Sequence, residues 1–487
     1  MPSRVVPDAV AIVEQQLQQR HRRFTLTEAA AMTGLAIDDA REALEALLTK
    51  YVCRLQVSEY GDLIYNFGET LQRRGTRTVA ERLAEFGAWL WTGFTVVYKA
   101  WITVTLVVYF VLFLVVLIVL VIAASARDAS DRRRPSSINV WPFLQMFAAL
   151  FHWRTVTGTV TYEQDRYGYR YRHYQPRPGI LNARKKNFIA AVYDFVFGPP
   201  RATREPLQNE QEVAAYLRQY KGVIVASELS ALAGWTVPQA ETFLTECVLR
   251  FHGNTRVSEQ AVLYTEFDTI TRAVGDVEDG EIVYYWDEYE PEYELTGNSA
   301  EHNLLIGFMN GFNGLFSVLV LNGSLARLFQ PDYGTSLATA AYGIASGQFV
   351  MVLLGWLPLI FSTLFFAMPL VRLLRLHGLR QHRHRQNIRK RLFKAIFAKQ
   401  GQPQTLREVL AAVNTNPCEE TVSLPVVEAM LQGLSLDMDG EMIVTEAAEV
   451  QYAFPRMRRE LQEVQQLRRS RRVDKTLGKI ISESDNV

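Results

Sequence analysis

The sequence predicts a mainly α protein with small β-hairpins, in which one small domain occurs three times beside about three transmembrane helices. Two observations support this class. Residues 100–126 contain no charged side chain, and at about 1.5 Å per residue a helix of that length exceeds a hydrocarbon core of roughly 30 Å. Residues 24–67 align without a gap to residues 224–267, and many identities at one offset indicate an internal repeat.

Composition and cysteine spacing exclude several classes of protein. The 487 residues are enough for several domains. Lys and Arg number 52 against 51 Asp and Glu, so the net charge of +1 provides no global attraction to nucleic acid or to an anionic surface. Cys53, Cys247 and Cys418 lie far apart and form no zinc motif or disulfide framework. We therefore expect no cofactor and no catalytic constellation.

Two further spans follow the first transmembrane region, which we place at residues 86–126. Residues 304–326 and 337–371 carry no charge, and a short turn joins them. Residues 303–371 are therefore predicted to form a transmembrane hairpin. The last span is long enough to tilt or to kink at Pro358.

Small and polar residues are predicted to hold the two spans of this hairpin together. They recur at steps of three and four, which places them on one helical face. Because lipid provides no hydrophobic drive between helices, close approach and hydrogen bonds must supply the association. A substrate or ion pathway along the same face is the alternative. The residues are Asn303, Gly307, Asn310, Gly314 and Ser317 on the second span and Ala340, Gly343 and Gly347 on the third.

The repeated domain occupies residues 1–75, 204–272 and 390–456. Apolar periodicity and turn residues predict three helices followed by a β-hairpin in each copy, an order that resembles the winged-helix fold. A Val-Ser/Thr-Glu signature marks the hairpin. We expect it to hold the hairpin rather than to perform chemistry, because it recurs in every copy. Its residues are Val57, Ser58 and Glu59, then Val257, Ser258 and Glu259, and finally Val444, Thr445 and Glu446.

The third helix of each copy argues against DNA binding. In a winged helix that binds DNA, this helix enters the major groove with cationic or amide side chains. Residues 38–48 carry four carboxylates against the single Arg41. The third helix of copy two has no cation before Arg250, and residues 424–436 have none. Such helices lack the counterion release that drives binding to a polyanion, so nucleic acid is disfavoured and a protein partner is predicted.

The roles of the remaining segments are predicted from their charge and length. Residues 138–200 are expected to lie at the lipid headgroups as amphipathic segments. Residues 273–302 form an acidic connector that we expect to be solvated, with a strip for a basic partner as the alternative. Residues 372–394 form a basic juxtamembrane segment, expected to lie against anionic lipid on the cytoplasmic side. Residues 457–487 form a charged C-terminal tail.

The charge distribution does not decide on which side of the membrane the first copy lies. Cations follow the first and third spans, which places copies two and three in the cytoplasm. With three spans, copy one then lies across the membrane from its relatives. Homologous domains usually share a compartment, so an additional crossing, such as a fold-back between Phe86 and Ala126, is the alternative.

The run that enters the second span, GNSAEHNLLIGFMNGFN at residues 297–313, is the most unusual in the chain. Together with the VSE sequence of the hairpins, it resembles a poorly characterised group of bacterial, cyanobacterial and plastid membrane proteins. Some of that group carry an iron–sulfur assembly label. The resemblance implies a membrane location and little about mechanism. The label is not carried over, because cluster ligation usually needs grouped cysteines.

These features favour a membrane-anchored scaffold or adaptor that binds protein partners through its winged-helix-like domains and performs no catalysis. The expected partners are membrane lipid, an unidentified protein and a second copy of the chain in a homo-oligomer. The expected location is a bacterial inner membrane or its equivalent, crossed several times. Two alternatives remain: a transport or channel component that uses the polar second span, and a membrane-tethered DNA-binding regulator.

Overall fold

The protein is mainly helical, with small and mostly antiparallel sheets. Within the described residues, three segments repeat one order of helices and strands. The structure, a computed structural model, describes residues 9–19, 22–74, 79–128, 158–164, 170–176, 188–201, 207–274, 282–323, 349, 351–415, 421–446, 448–473 and 477–484.

Each repeated unit consists of a helix, a short strand, two helices and a two-stranded hairpin. Unit 1 contains α1 (Ala9–Gln19), β1 (Arg23–Thr25), α2 (Leu26–Thr33), α3 (Ile37–Lys50), β2 (Arg54–Ser58) and β3 (Leu63–Asn66). Between units 1 and 2 lie α4 (Val79–Asp128), β4 (Gly158–Gln164), β5 (Arg170–Pro176) and α5 (Phe188–Phe197). Unit 2 contains α6 (Gln208–Gln219), β6 (Val223–Ile224), α7 (Ala226–Ala233), α8 (Val237–Phe251), β7 (Asn254–Val257) and β8 (Leu263–Glu266).

Unit 3 has no separate first helix, because the C-terminal end of a long helix serves as one. Between units 2 and 3 lie β9 (Glu288–Tyr289), α9 (Ala300–Leu321) and a π-helical turn (Met351–Trp356). Unit 3 then contains the end of α10 (Leu357–Ala398), β10 (Gln404–Thr405), α11 (Leu406–Val413), α12 (Leu424–Asp437), β11 (Glu441–Val444) and β12 (Val450–Ala453). After it come α13 (Pro455–Ser470) and β13 (Ile480–Glu483).

The sheet has the same strand order in every unit. The first strand pairs with the third, and the third pairs with the second, giving β1-β3-β2, β6-β8-β7 and β10-β12-β11. The sequence predicted the hairpins but not the first strands. Those strands are only two or three residues long, which is too short for a period-two pattern.

The second helix of unit 1 begins at a capping box and ends at a glycine. The Glu28 amide donates to the Thr25 hydroxyl, and the Thr25 amide donates to the Glu28 carboxylate, which satisfies two free amides. Gly34 closes the helix in the left-handed conformation, as Gly234 does in unit 2. A Cβ at Gly34 would lie 2.7 Å from the carbonyl oxygen of Leu207. Close packing of the second unit on this turn therefore requires glycine.

Three helices are long and apolar enough to cross a membrane, namely Phe86–Val119 within α4, Ala300–Leu321 and Met351–Ala398. They overlap the predicted spans with different limits. The first begins at Phe86 as predicted and ends at Val119, the second ends at Leu321 rather than at residue 326, and most of residues 324–350 lie outside the described part of the chain.

The three helices pack together as a bundle. Phe110 of α4 lies 5.2 Å from Phe312 of α9 between ring centroids, and Phe113 lies 5.6 Å from Phe316. Because the residue numbers of the contacting phenylalanines increase in the same direction along both helices, α4 and α9 run parallel. Helix α10 runs antiparallel to α9, since Ser362 of α10 contacts Asn310 while the earlier Gly355 faces the later Leu321.

The short helix α5 belongs to the segment predicted to lie at the headgroups. Its buried side contacts α4, α9 and α10. Phe195 stacks on Phe365 with centroids 5.5 Å apart, and Lys99 lies 4.6 Å from the centroid of the Tyr193 ring. The first part of the predicted 138–200 segment, residues 138–157, lies outside the described residues.

Units 1 and 2 share one hydrophobic core. Leu17, Leu44, Leu217 and Phe251 are fully buried in a single cluster that spans both units. A bilayer cannot lie between two domains that share a core. The arrangement that placed copy one across the membrane from copy two does not fit this shared core, and the alternative in which both copies lie in one compartment does.

Single cysteines should therefore label from one side. In a Cys418→Ser chain, Glu69→Cys, Gln260→Cys and Glu446→Cys, all at exposed positions, are expected to react with an impermeant maleimide on the same face of sealed vesicles. Asn322→Cys, at the other end of α9, should react only from the opposite face. Labelling of Glu69→Cys and Gln260→Cys from opposite faces would contradict the shared core.

Candidate protein-interaction site

The polar face of α9 is buried between the other two apolar helices. Asn310, Asn313 and Ser317 are fully buried. The Asn310 side-chain amide donates to the Ser362 carbonyl of α10 at 3.1 Å, and the Ser362 hydroxyl donates to the Asn310 carbonyl at 3.3 Å. The Asn313 amide donates to the Leu106 carbonyl of α4 at 3.0 Å. The face thus joins α9 to both neighbours, whereas the sequence suggested only one.

The other predicted packing residues take different positions. Gly314 faces Ser362, where an added Cβ would make contact at 3.4 Å, whereas a Cβ at Gly307 would meet nothing within 4 Å. Asn303 is half-buried. The predicted residues of the third span, Ala340, Gly343 and Gly347, lie outside the described residues.

The hydroxyl of the hairpin signature bonds to the turn in all three units. Ser58 Oγ accepts from the Asp62 amide at 3.0 Å, and Ser258 Oγ accepts from the Val262 amide at 3.3 Å. Thr445 Oγ1 accepts from the Glu449 amide at 3.3 Å. The valines precede the turn, and the neighbouring carboxylates differ: Glu59 accepts from the Lys479 amide at 3.3 Å, while Glu259 and Glu446 are exposed.

Residues 282–296, which we call the strap, lie along α10 in the opposite direction. Cationic side chains of α10 donate to oxygen atoms of the strap, most of them backbone carbonyls. The pairs are Arg372 with Leu295 (2.9 Å), Arg380 with Tyr293 (3.1 Å), Arg383 with Glu290 (2.8 Å), Lys390 with Glu288, and Arg391 with the Tyr289 hydroxyl (3.3 Å).

Aromatic side chains fix the far end of the strap to unit 3. The ring centroids of Tyr285 and Phe393 lie 5.2 Å apart, and those of Trp286 and Phe397 lie 5.1 Å apart. The acidic connector is therefore not simply solvated over these residues. The basic partner of the acidic connector is the basic segment of the same chain. One side of that segment bonds to the strap, and other cations, such as Arg375 and Arg385, are exposed.

The charged C-terminal tail is a structured element that joins the units. Helix α13 packs on unit 2 at α7 and β6, and its Met457 lies in the core of unit 3. Strand β13 extends the unit 1 sheet by pairing with β2. The Glu59 amide donates to the Lys479 carbonyl at 2.8 Å. The segment predicted as a charged C-terminal tail thus contains a helix and a strand, and its charges are partly used in internal contacts.

A buried ion pair fixes α13 on unit 2. Arg468 donates through two nitrogens to Glu228, at 2.7 Å each, and Glu228 also accepts from the Tyr216 hydroxyl at 2.7 Å. The guanidinium carbon lies 4.6 Å from the centroid of the Tyr220 ring. Burial alone would lower the pKa of Arg468, but its interactions with Glu228 and Tyr216 together raise it.

Sequence comparison at the repeat offset of 200 missed this element, although a different offset reveals it. Shifting α6 by 250 residues onto α13 aligns Glu210, Leu217 and Arg218 with Glu460, Leu467 and Arg468. Both helices pack on the second helix of a unit.

The described cysteines are buried thiols. Burial raises the pKa of Cys53 to about 11 and that of Cys247 further, so both are neutral near pH 7 and poor nucleophiles. Cys418 lies outside the described residues. In the part of the chain that is described, no three His, Cys, Asp or Glu side chains are grouped as metal ligands.

Unit 3 exposes apolar side chains on its third helix and hairpin. Leu436 of α12 is 86% exposed, and Met442 and Val444 of β11 are 60% and 69% exposed. Leu424 and Val426, at the start of α12, are also exposed. Neither α12 nor β11 carries a Lys or Arg. We call this surface the unit 3 face.

The geometry defines a membrane protein with three apolar helices of spanning length and small soluble units. No protein-family model matches the chain, and no solved structure matches it significantly. The chain is similar to an uncharacterised chloroplastic protein of Arabidopsis thaliana, with 24% identity over 378 residues. The similarity covers 72% of this chain and 65% of the relative's length. It agrees with the plastid part of the resemblance described above and carries no information on iron–sulfur assembly.

Removing the Asn310 side chain should weaken the bundle. Asn310→Ala loses the hydrogen bond to Ser362, and we expect the free energy of unfolding in detergent to fall by about 1–2 kcal/mol. Asn322→Ala, at an exposed position at the end of the same helix, is the control and should change it by less than about 0.5 kcal/mol. Equal effects would assign no packing role to Asn310.

Removing the Arg468 side chain should release α13. Arg468→Ala leaves the Glu228 carboxylate buried without its cation, which costs about 3–5 kcal/mol. Hydrogen exchange is expected to show loss of protection across α13, while the matched Arg469→Ala, at an exposed neighbour, retains it. Unchanged protection in Arg468→Ala would show that apolar contacts alone hold this helix.

Proposed function

We propose that this protein is a membrane-anchored scaffold whose three units are winged-helix-like domains that bind protein partners without catalysis. The order of elements and the strand order in each unit support the winged-helix description. The unit 3 face is the single observation that carries the proposed function.

The unit 3 face has the chemistry of a protein contact. In winged helices that bind DNA, the third helix lies in the major groove, and it needs cations to meet the phosphates. Here the third helix and the adjoining strand expose Leu436, Met442 and Val444, and their charged residues are acidic. Grouped exposed apolar side chains mark sites of protein contact, and carboxylates repel a polyanion.

The membrane arrangement supports a scaffold with all three units on one side. Units 1 and 2 share a core, and α13 contacts both unit 2 and unit 3. The exposed arginines that follow the third apolar helix favour the cytoplasmic side of a bacterial inner membrane, or its equivalent in a plastid. The plastid relative supports this type of location.

A transport function is the second candidate, because the amide oxygens of α9 are not all used. In the described part of the chain, the buried side-chain oxygens of Asn303, Asn310 and Asn313 accept no hydrogen bond. These oxygens are available to a polar solute. Reaction of Asn310→Cys with a small water-soluble thiol reagent in intact membranes would favour transport, and lack of reaction favours packing.

Photo-crosslinking tests the scaffold function. A photoreactive residue at Met442 of the full-length protein in its native membrane is expected to yield a discrete adduct with a partner protein. The same residue at Gln402, which is exposed on unit 3 away from that face, should not. Leu436→Glu should abolish the adduct, because it places a charge in an apolar contact.

Two results would contradict this function. The first is equal crosslinking from positions 442 and 402, which would indicate random contact. The second is salt-dependent retention of duplex DNA by the purified protein that disappears on substitution of Arg41 or Arg250, which would favour the membrane-tethered DNA-binding regulator.

A further inference from the structure

The second helix is covered by another helix in units 1 and 2 but is open in unit 3. Helix α6 packs across α2, and α13 packs across α7. As a result, the equivalent Ala31 and Ala231 are each only 5% exposed. Ala411 holds the same position in α11 and is exposed. Within the described residues, the principal contacts of α11 are with elements of its own unit.

Each covering helix brings an arginine to the capping glutamate of the helix that it covers. Arg218 of α6 lies 3.4 Å from Glu28, with side chains 7% and 2% exposed. Arg468 of α13 lies 2.7 Å from Glu228, with side chains 12% and 6% exposed. The covering helix therefore supplies both the apolar contact and the charge that compensates a buried carboxylate.

The covering helices share a spacing that defines this contact. A glutamate is followed seven residues later by leucine and eight residues later by arginine, in Glu210–Arg218 and in Glu460–Arg468. Two helical turns separate these positions, so they lie on one side of the helix. Glu460 accepts from the Ser227 amide at 2.9 Å and from its hydroxyl at 2.6 Å.

Unit 3 presents the complementary charges, and no helix among the described residues covers them. Glu408 stands at the position of Glu28 and Glu228, forms a capping box with Thr405 and is exposed. Arg407 replaces Ser227 at the preceding position and is also exposed. A helix with the shared spacing would place its glutamate near Arg407 and its arginine near Glu408.

We propose that α11 binds an amphipathic helix of a separate protein, with glutamate, leucine and arginine at positions i, i+7 and i+8. The proposal rests on the scaffold function and names the chemistry of one partner at a surface other than the unit 3 face. The partner is a separate protein because the helices of this chain with that spacing, α6 and α13, are already docked on units 1 and 2.

A peptide of residues 455–473 is the probe, since its sequence is that of a helix that the fold already docks in this way. A covalent bridge between positions 462 and 466, both exposed on α13, keeps it helical. Binding of the labelled peptide to the full-length protein in detergent is measured by fluorescence anisotropy. We expect saturable binding, and we expect Glu408→Arg in the protein to weaken it at least tenfold.

A charge-swap experiment makes the assignment specific. The peptide with Arg468→Glu should bind the unaltered protein at least tenfold more weakly, and it should regain affinity to within threefold on the Glu408→Arg protein. This recovery also shows that the altered protein is folded. Glu446→Arg, the same charge change at an exposed hairpin position of unit 3, is the control and should leave binding unchanged.

Three results would overturn the proposal: no saturable binding of the unaltered peptide, binding that does not depend on Glu408, or no recovery in the charge-swapped pair. Binding independent of Glu408 would mean that the peptide exchanges with α13 on unit 2. Failure here together with a specific crosslink at Met442 would leave the scaffold function standing. Loss of that crosslink with intact peptide binding would instead contradict the unit 3 face.

Discussion

The arrangement of the soluble units depends on how a buried carboxylate is compensated. Glu28 and Glu228 start the second helices of their units through their cap bonds, and the same carboxylates are buried beneath the covering helices α6 and α13. An ionised carboxylate without a partner at such a position costs several kcal/mol. The covering helix must therefore carry an arginine at the matching position. This requirement fixes which helix covers which unit and joins successive units into one assembly.

The repeated units and the apolar helices could be predicted from the sequence. The parts of the fold that depend on contacts between distant segments could not. The three apolar helices follow from uncharged runs, and the repeated units follow from identities such as Ser58 and Ser258 at one offset. The strap was missed because its acceptors are largely backbone carbonyls, which carry no sequence signal. The bond from Asn313 to α4 could not be predicted, because spacing identifies a polar face but not the helix that it meets.

Charge within the chain is neutralised locally, which explains how a nearly neutral protein contains strongly basic and strongly acidic segments. Arg383 of α10 pairs with Glu292 of the strap, and Arg456 of α13 pairs with Glu241 and Glu460. The net charge of +1 therefore does not reveal that oppositely charged segments of the chain contact each other. Cations of α10 that point away from the strap are exposed, so the free cationic surface is narrower than the basic sequence suggests.

Helix α10 runs unbroken for 42 residues, about 63 Å at 1.5 Å per residue. It starts among the lipid-crossing helices and ends in the core of unit 3, where Leu392 and Phe393 are fully buried. Pro369 inside it removes one backbone hydrogen bond and provides a point of bending. With no loop in between, a change of about 5° at that point would move Ala398 by about 4 Å. The helix thus connects the apolar bundle to unit 3 as one continuous element, and bending at Pro369 would change the position of unit 3 relative to the bundle.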